Sequence, residues 1–260
     1  MVCAFFQTPP KQLNKQFLPG NTRYGHAAMA STCSIPVEQA EESIRKTGIY
    51  YLEDFQIGDR VAEFNGKGLP TKTAYGLEFC AHNSLDNQNI RTIVESILDR
   101  PCWGCIKIYS DALPDDFAVF FNNPSFYQKS ATKAPALLIQ LWAPGSRIVF
   151  YEGAHIQNID PRELEEWGLL SLPRLQMNRG DIREVEVVMK KGGLAIIDSR
   201  LGFTPLSGYC VNIGFVSEFE ISFWAKMELP DEQVLRAKVE DLKHRNFRTN
   251  FSFVRKTDGT

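Results

Sequence analysis

The stretch Lys190-Lys-Gly-Gly-Leu-Ala-Ile-Ile-Asp-Ser-Arg-Leu-Gly-Phe203 decides the fold of this chain. Two lysines and a Gly-Gly pair form a turn signal, and the apolar run Leu194–Ile197 follows it. An apolar run between turn signals is typical of a buried strand. Asp198 and Arg200 stand at the end of this run, two residues apart and therefore on one strand face, which favours a structural ion pair.

A similar unit precedes this stretch. Pro135–Trp142 is an apolar run, Pro144-Gly145 is a turn signal, and Arg147–His155 is a second apolar segment. Strands that meet at Gly-rich corners predict a mainly β fold, a jelly roll or double-stranded β-helix with an interior pocket.

The periodicity along the chain predicts the individual elements. The predicted strands are Ile49–Phe55, Ile106–Ser110, Phe117–Phe121, Ala136–Trp142, Arg147–Tyr151, Arg183–Met189, Leu194–Asp198 and Gly208–Trp224. The predicted helices are 36–47, 85–98, 160–168 and 230–244, the last with Val234, Leu235, Val239 and Leu242 facing inward. The predicted loops are Asp59–Thr73 and Leu169–Asp181.

Two motifs connect this pattern to a known family. Gly153-Ala-His155 followed by Gly192–Arg200, together with the opening segment Glu41–Phe55, resembles the phytanoyl-CoA dioxygenase-like proteins. These are iron- and 2-oxoglutarate-dependent oxygenases with a double-stranded β-helix, which is cupin-like. The resemblance implies the same fold over residues 36 to 225.

The metal-binding residues of that family are missing from this chain. Such oxygenases hold iron with two His and one carboxylate, the first two as His-x-Asp or His-x-Glu. None of the four histidines has an acidic residue two positions later. By the resemblance, the first motif falls near Ser125–Lys129, the last ligand falls near Phe203, and the 2-oxoglutarate arginine falls near Asn212. The chain is therefore predicted to be a degenerate member of the family, without metal or other cofactor.

The residues at the former metal positions imply a different kind of lining. Phe126 and Gln128 stand in the first motif and Phe203 stands at the last ligand. Two rings and an amide suit an apolar substrate with one polar group, so these three residues are predicted to bind substrate. Trp142 is expected to face the same space.

Four polar residues interrupt otherwise apolar strands. Gln140 shares a face with Trp142, Lys107 shares a face with Tyr109, and Asn212 lies inside the last strand. Buried polar groups need hydrogen-bond partners, so each residue points either at the helices or into the pocket. Gln140, Lys107 and Tyr109 are the candidate catalytic donors, and Asn212 is a candidate substrate-binding residue.

Two further groups have alternative interpretations. His155 follows a Gly-Ala corner and either orders a loop or acts as a base. Cys80, His82, Cys102 and Cys105 have the residue types of a zinc site, but a thiol in an apolar strand usually packs as a small hydrophobe. Packing is the preferred interpretation of the cysteines.

Composition limits the location and the partners. The chain has 260 residues, 43% hydrophobic and 12% aromatic, and a net charge of −2. These values favour a globular domain and give no reason to expect nucleic acid or a membrane as partner. Residues 1–33 are expected to be a flexible tail and residues 34–260 a single domain. No secretory signal is recognisable, so a cytoplasmic location is expected. An apolar small molecule is the predicted partner, and a homo-oligomer remains open.

Three functions follow from these observations. The leading prediction is a metal-independent, non-oxidative enzyme of secondary metabolism, such as a cyclase, isomerase or Diels–Alder-type pericyclase, because positioning alone supplies much of the rate of such reactions. The second is an inactive oxygenase-like binding partner. The third is an iron and 2-oxoglutarate oxygenase with unconventional ligands around His82, His155 or Asp198.

Overall fold

The computed structural model describes residues 35–110, 116–126, 133–164, 169–244 and 247–255. The α-helices are α1 (Val37–Thr47), α2 (Phe55–Gly66), α3 (Ala74–His82), α4 (Gln88–Ile97) and α5 (Gln233–His244). The strands are β1 (Ile49–Glu53), β2 (Cys102–Ser110), β3 (Phe117–Phe120), β4 (Ala136–Trp142), β5 (Ser146–Glu152), β6 (Arg162–Leu164), β7 (Leu169–Pro173), β8 (Arg183–Met189), β9 (Gly193–Asp198), β10 (Phe203–Ser207), β11 (Tyr209–Val216), β12 (Met227–Pro230), β13 (Arg248–Thr249) and β14 (Phe251–Val254).

Two six-stranded sheets make up the body of the protein. The major sheet has the order β1-β9-β4-β11-β2-β13, and the minor sheet has the order β6-β7-β3-β10-β5-β8. Buried side chains of both sheets form one apolar cluster between them, which includes Trp142, Ile197 and Phe203. The sheets therefore pack face to face, and the predicted jelly roll is confirmed.

Helices cover the outer face of the major sheet. Alternate strand residues such as Ile139, Ile196 and Ile213 turn away from the minor sheet and pack with buried helical side chains such as Ile44 and Val94. The major sheet thus has an apolar core on both faces, which explains why the runs of β4 and β9 are continuous rather than alternating. No described helix has the length and apolarity that crossing a bilayer requires.

The segment after β1 differs from the prediction. The strand predicted over Ile49–Phe55 ends at Glu53, and α2 occupies much of the Asp59–Thr73 segment that was predicted as a loop. Asp54 caps this helix, because its carboxylate accepts hydrogen bonds from the backbone N–H groups of Gln56 and Ile57 at 2.8 and 3.1 Å. The buried residues of α2 are Ile57, Gly58, Val61 and Phe64.

Helix α3 was also not predicted, and α4 begins later than expected. Thr73 caps α3 by accepting from the N–H of Gly76 at 3.1 Å. Asn87 caps α4 by accepting from Asn89 and Ile90, so α4 starts at Gln88 rather than at Leu85. Both corrections come from capping side chains, which set a helix start more sharply than apolar spacing does.

The helix predicted over 160–168 is wrong where the structure describes it. Arg162–Leu164 is strand β6, which pairs with β7 in the segment predicted as a loop, Leu169–Asp181. Residues 165–168 lie outside the described ranges. The local capping signals of Asp160 and Pro161 are overridden by pairing at the edge of the minor sheet.

The last long strand is shorter than predicted. Strand β11 ends at Val216 rather than at Trp224. The Ser217 N–H still donates at 3.2 Å to the carbonyl of Pro135, the next residue opposite it in the register, but proline has no N–H to donate in return. The remainder forms a 3₁₀ turn over Glu220–Phe223. On α5, Leu235, Val239 and Leu242 are buried as expected, whereas Val234 is 65% exposed.

Candidate functional site

Three polar side chains form one row across the inner face of the major sheet. Asn212 of β11 is paired with Gln140 of β4 on one side and with Lys107 of β2 on the other. Cys210 and Trp142, two residues along β11 and β4, pack between the sheets. Because strand residues alternate between faces, the three polar side chains also point between the sheets. The register therefore brings together three of the predicted site residues.

The two amides of this row have unused hydrogen-bonding capacity. Asn212 and Gln140 are fully buried. In the described part of the chain, neither Nδ2 nor Oδ1 of Asn212 has a hydrogen-bond partner, and neither does Nε2 of Gln140. The indole N–H of Trp142 donates to Oε1 of Gln140 at 3.3 Å. An indole N–H can only donate, so this bond fixes the amide orientation and leaves the Gln140 NH₂ group as an available donor.

Tyr109 and Phe203 face each other beside the row. Tyr109 is paired with Cys210 on β11, and its ring lies 5.6 Å from the ring of Phe203, centroid to centroid. The Tyr109 hydroxyl is buried and has no partner among the described residues. Burial raises the pKa of Tyr109 well above its ordinary value, so the group is a neutral O–H donor. The predicted ring of Phe203 and the predicted donor Tyr109 are therefore in contact.

Lys107 lies where the inner face approaches solvent. Its side chain is half-buried, and its ammonium group lies 5.4 Å from the centroid of the Phe121 ring. A cation over an aromatic face is an attractive contact. Lys107 therefore gives the row a positive end.

His155 belongs to a different place from the row. It follows β5, and its Nε2 donates to the backbone carbonyl of Arg45 at 3.3 Å, near the end of α1. Nδ1 is buried without a partner in the described ranges, at the position where a Cβ on Gly48 would approach to 2.7 Å. Burial lowers the pKa of His155, while the Asp198 carboxylate acts in the opposite direction. These contacts match the loop-ordering interpretation.

The predicted ion pair is present and buried. The Arg200 guanidinium donates to both carboxylate oxygens of Asp198, at 2.9 and 2.7 Å, and both side chains are almost fully buried. The neighbouring Ser199 hydroxyl is buried, with no partner in the described part of the protein. The pair closes the turn between β9 and β10, so a structural role fits its geometry.

One predicted lining residue must be corrected. Phe126 is 71% exposed and does not line the space between the sheets. Asn123 accepts from the Ser125 N–H at 2.9 Å, and the Ser125 hydroxyl donates to the Ile159 carbonyl at 2.5 Å. These bonds hold the turn after β3 so that the next ring points outward. Gln128 lies outside the described residues.

The cysteines are separated by the major sheet. The described thiols are free and buried. Cys80 packs on the helix side. Cys105 pairs with Gly214 and precedes Lys107 by two residues on the inner face. Within the described ranges, no group of three or more His, Cys, Asp or Glu side chains is placed to hold a metal.

The site does not fit the iron and 2-oxoglutarate of the resembled family. At the last ligand position stands Phe203, a hydrocarbon ring that is fully buried against Tyr109. The polar groups of the inner face are an ammonium, two amides and a phenol, which lack the imidazole and carboxylate donors of such iron sites.

Two residues of the site were missed from the sequence. Phe121 was treated only as the end of a strand, and Trp224 only as the end of another. Their ring centroids lie 4.9 Å apart beside Lys107. The sequence signal that could have indicated this contact is the pair Gly104 and Gly214, which leave room for an indole on neighbouring strands.

The comparison with the solved structure of apo HygX supports the fold. The chain superposes on apo HygX from Streptomyces hygroscopicus with a TM-score of 0.51 and 12% sequence identity, covering 74% of this chain and 89% of that one. For the epimerase SnoN in complex with Fe³⁺, alpha ketoglutarate and nogalamycin RO, the TM-score is 0.46 and the sequence identity is 12%. The match covers 70% of this chain and 83% of that one. For EctD from S. alaskensis with 2-oxoglutarate and 5-hydroxyectoine, the TM-score is 0.45 and the sequence identity is 9%. The match covers 75% of this chain and 80% of that one.

No family model matches the chain, and no curated protein matches it in sequence. The structure nevertheless defines its class. The chain is a double-stranded β-helix protein with the oxygenase-like fold that the resemblance implies. Its inner face has a row of polar side chains and the buried ring of Phe203.

Proposed function

We propose that this protein is a metal-independent enzyme that isomerises or cyclises an apolar small molecule bearing a carbonyl group. The observation that carries the proposal is the pair of buried amides, Asn212 and Gln140, whose donors have no partner in the described chain. Native proteins rarely leave such groups unpaired. A bound carbonyl oxygen with two lone pairs would satisfy both.

The first step is recognition of the oxygen. Asn212 and Gln140 are direct neighbours across β11 and β4, and directly opposed side chains in a sheet lie within about 5 Å of one another. Two amide N–H groups on such neighbours converge on one acceptor. A buried polar group without a partner costs about 1–3 kcal/mol, and a carbonyl ligand would recover this cost.

The second step is polarisation of the bound carbonyl group. Donors that are fixed in a dry interior stabilise negative charge as it develops on an oxygen. The Gln140 amide is fixed by its bond to the Trp142 indole, and the Tyr109 hydroxyl is a further neutral donor. Together they would draw electron density from a conjugated carbonyl and activate it for a non-oxidative rearrangement.

The third step is control of the conformation of the bound substrate. The inner face around the row is apolar, with Leu138, Ala195, Trp142 and Phe203 all buried in or beside the cluster between the sheets. A wall of this kind holds a flexible chain in a folded conformer without adding charge. Restricting a substrate to a reactive conformer accounts for several kcal/mol of barrier in intramolecular reactions.

The binding part of the proposal is tested with carvone and limonene. These two terpenes share one skeleton and differ by the carbonyl oxygen. We expect isothermal titration to show about thirtyfold tighter binding of carvone, because two hydrogen bonds contribute about 1 kcal/mol each. The preference should fall about fivefold in Asn212→Leu and in Gln140→Leu, each of which removes one of the two bonds. Gln233→Leu, at the exposed start of α5, is the matched control.

The masses of the reaction products test whether the protein catalyses a non-oxidative rearrangement. Polyunsaturated ketones are incubated with the EDTA-treated protein, and the products are analysed by chromatography and mass spectrometry. A product with the mass of its substrate supports isomerisation or cyclisation. A product that has gained oxygen contradicts the proposal, and binding without any product indicates the alternative, an inactive binding protein.

A further inference from the structure

Two glycines lie beside the polar row, on β2 and β11, and they add no side chain of their own to the inner face. Gly104 of β2 and Gly214 of β11 lie on neighbouring strands, and Gly214 is two residues from Asn212 on the same face. A Cβ on Gly104 would lie 2.7 Å from Cζ3 of the Trp224 indole, and a Cβ on Gly214 would lie 3.6 Å from the same atom. The indole therefore rests directly on the main chain of the inner face.

A ring from the other sheet meets this indole. Phe121 follows β3 of the minor sheet, and its ring centroid lies 4.9 Å from that of Trp224, with the planes tilted by 43°. The two rings join the sheets at this end. Since the Lys107 ammonium lies 5.4 Å from the Phe121 centroid, the ring pair borders the positive end of the row.

The segment with Trp224 is attached to the fold at its two ends. The Ser217 N–H donates to Pro135, and the Met227 N–H donates to Asn250 at 2.9 Å. The single indole donor is used within the segment, on Oε1 of Glu220 at 3.4 Å. Trp224 is therefore held against the inner face by packing rather than by a hydrogen bond to either sheet, and its side chain is half-buried.

We propose that Trp224 and Phe121 form the end wall of the substrate site and limit the length of its apolar ligand. This inference rests on the proposed function and adds a specificity-determining element to it. A ligand whose carbonyl lies at Asn212 and Gln140 meets the indole as it extends along β11. Its apolar part therefore stops at Trp224 unless the indole is removed.

The first test needs no ligand. Cys105 lies beneath the indole, since it is paired with Gly214, and its thiol is buried. We measure its modification by methyl methanethiosulfonate in wild type, Trp224→Ala and Phe223→Ala, the last being an exposed ring of the same segment. Fragment ions in tandem mass spectrometry distinguish Cys105 from Cys102, because the tryptic peptide that ends at Lys107 contains both. Because burial raises the pKa of Cys105 to about 11, all rates are compared at one pH.

We expect Trp224→Ala to react about tenfold faster than wild type at Cys105, the factor that about 1.4 kcal/mol of opening free energy gives. Phe223→Ala should react at the wild-type rate. Cys80, on the opposite side of the major sheet, reports general loosening of the fold. If the Trp224→Ala variant fails to fold, the same rates are measured in Trp224→Phe. An unchanged rate at Cys105 in a folded variant overturns the end wall.

The second test measures length selection. Geranylacetone, farnesylacetone and geranylgeranylacetone differ by one isoprene unit and keep the same carbonyl. Wild type should bind the shorter ketones best, and Trp224→Ala should shift the optimum to a longer one while Asn212→Leu weakens all three. If ketones bind but the optimum does not move, length selection by Trp224 is wrong. If wild type binds no ketone, the proposed function fails, and the Cys105 rates still decide whether Trp224 covers the inner face.

Discussion

At the scale of single residues, Asn212 and Asn87 are two buried asparagines with opposite hydrogen bonding. The Asn87 side chain accepts from the backbone N–H groups of Asn89 and Ile90 at the start of α4. Neither side-chain polar atom of Asn212 has a partner in the described part of the protein. A satisfied cap stabilises a protein, whereas an unsatisfied buried amide destabilises it. Asn212 is therefore the kind of residue that a ligand site retains at the expense of stability.

Substitution of Asn212 should raise stability and remove binding together. Asn212→Leu keeps the branching and the number of heavy atoms of the side chain and removes the unpaired groups, so we expect the free energy of unfolding in urea to rise by about 1–2 kcal/mol. Asn87→Leu should lower it by about 1 kcal/mol, because it removes a helix cap. A loss of stability in Asn212→Leu would show that the amide has a structural partner.

His155 predicts a pH dependence of stability. Burial lowers its pKa below the ordinary value of 6.5, so the unfolded chain binds a proton at a pH where the folded protein does not. The stability due to this group is complete above about pH 6.5 and is lost as the pH falls toward the folded-state pKa. The melting temperature of wild type should therefore fall as the pH is lowered below about 6.5.

His155→Gln should reduce that slope, because an amide can donate to the Arg45 carbonyl without titrating near neutral pH. The matched control is His82→Gln on α3, which also removes one imidazole. Equal slopes in His155→Gln and wild type would assign the pH dependence to other groups.

At the scale of elements, the Gly-Gly turn of the deciding stretch also positions a helix. Gly192 lies against Gly58 of α2, since a Cβ on Gly192 would come within 2.4 Å of the Gly58 Cα. A Cβ on Gly58 would lie 2.0 Å from the Lys191 carbonyl oxygen. The Asp54 N–H donates to the Gly192 carbonyl at 3.1 Å. The turn, which connects β8 of the minor sheet to β9 of the major sheet, thus positions the start of α2.

Two glycines of α2 should therefore respond oppositely to alanine. Gly58→Ala collides with main chain and should lower the free energy of unfolding by about 1–3 kcal/mol, as overpacking does. Gly66→Ala meets nothing within 4 Å and should be neutral or stabilising by up to about 1 kcal/mol. Chemical denaturation of both variants measures the difference. A tolerated Gly58→Ala would mean that α2 is not seated on the turn.

At the scale of the whole molecule, the fold and the donor set disagree. The two sheets have the arrangement of an oxygenase, but Phe203 and the polar row offer no iron donors. We expect purified protein that has been incubated with ferrous iron to retain less than stoichiometric metal by elemental analysis. We also expect its melting temperature to be unchanged by 2-oxoglutarate. An oxygenase with an intact triad, treated in parallel, is the control, and one tightly bound iron per chain would contradict the expectation.

The sequence by itself determined the sandwich and the content of its core. Leu194–Ile197 and Ala136–Trp142 are runs that must be buried on both faces, and the glycines between them must be corners. Such signals are local, because apolar runs and glycines constrain the chain wherever they occur. The sequence also determined that the metal motif is absent, since no tertiary contact can supply a missing side chain.

The tertiary structure alone decided which polar residues meet. Lys107, Gln140 and Asn212 are far apart in the chain and become neighbours only through the register of β2, β4 and β11. The helix α2, the edge strand β6 and the contact of Trp224 with Gly104 likewise depend on partners that are distant in sequence. Strand register and ring packing arise from pairing between distant segments, and the periodicity of a single segment does not specify which segments pair.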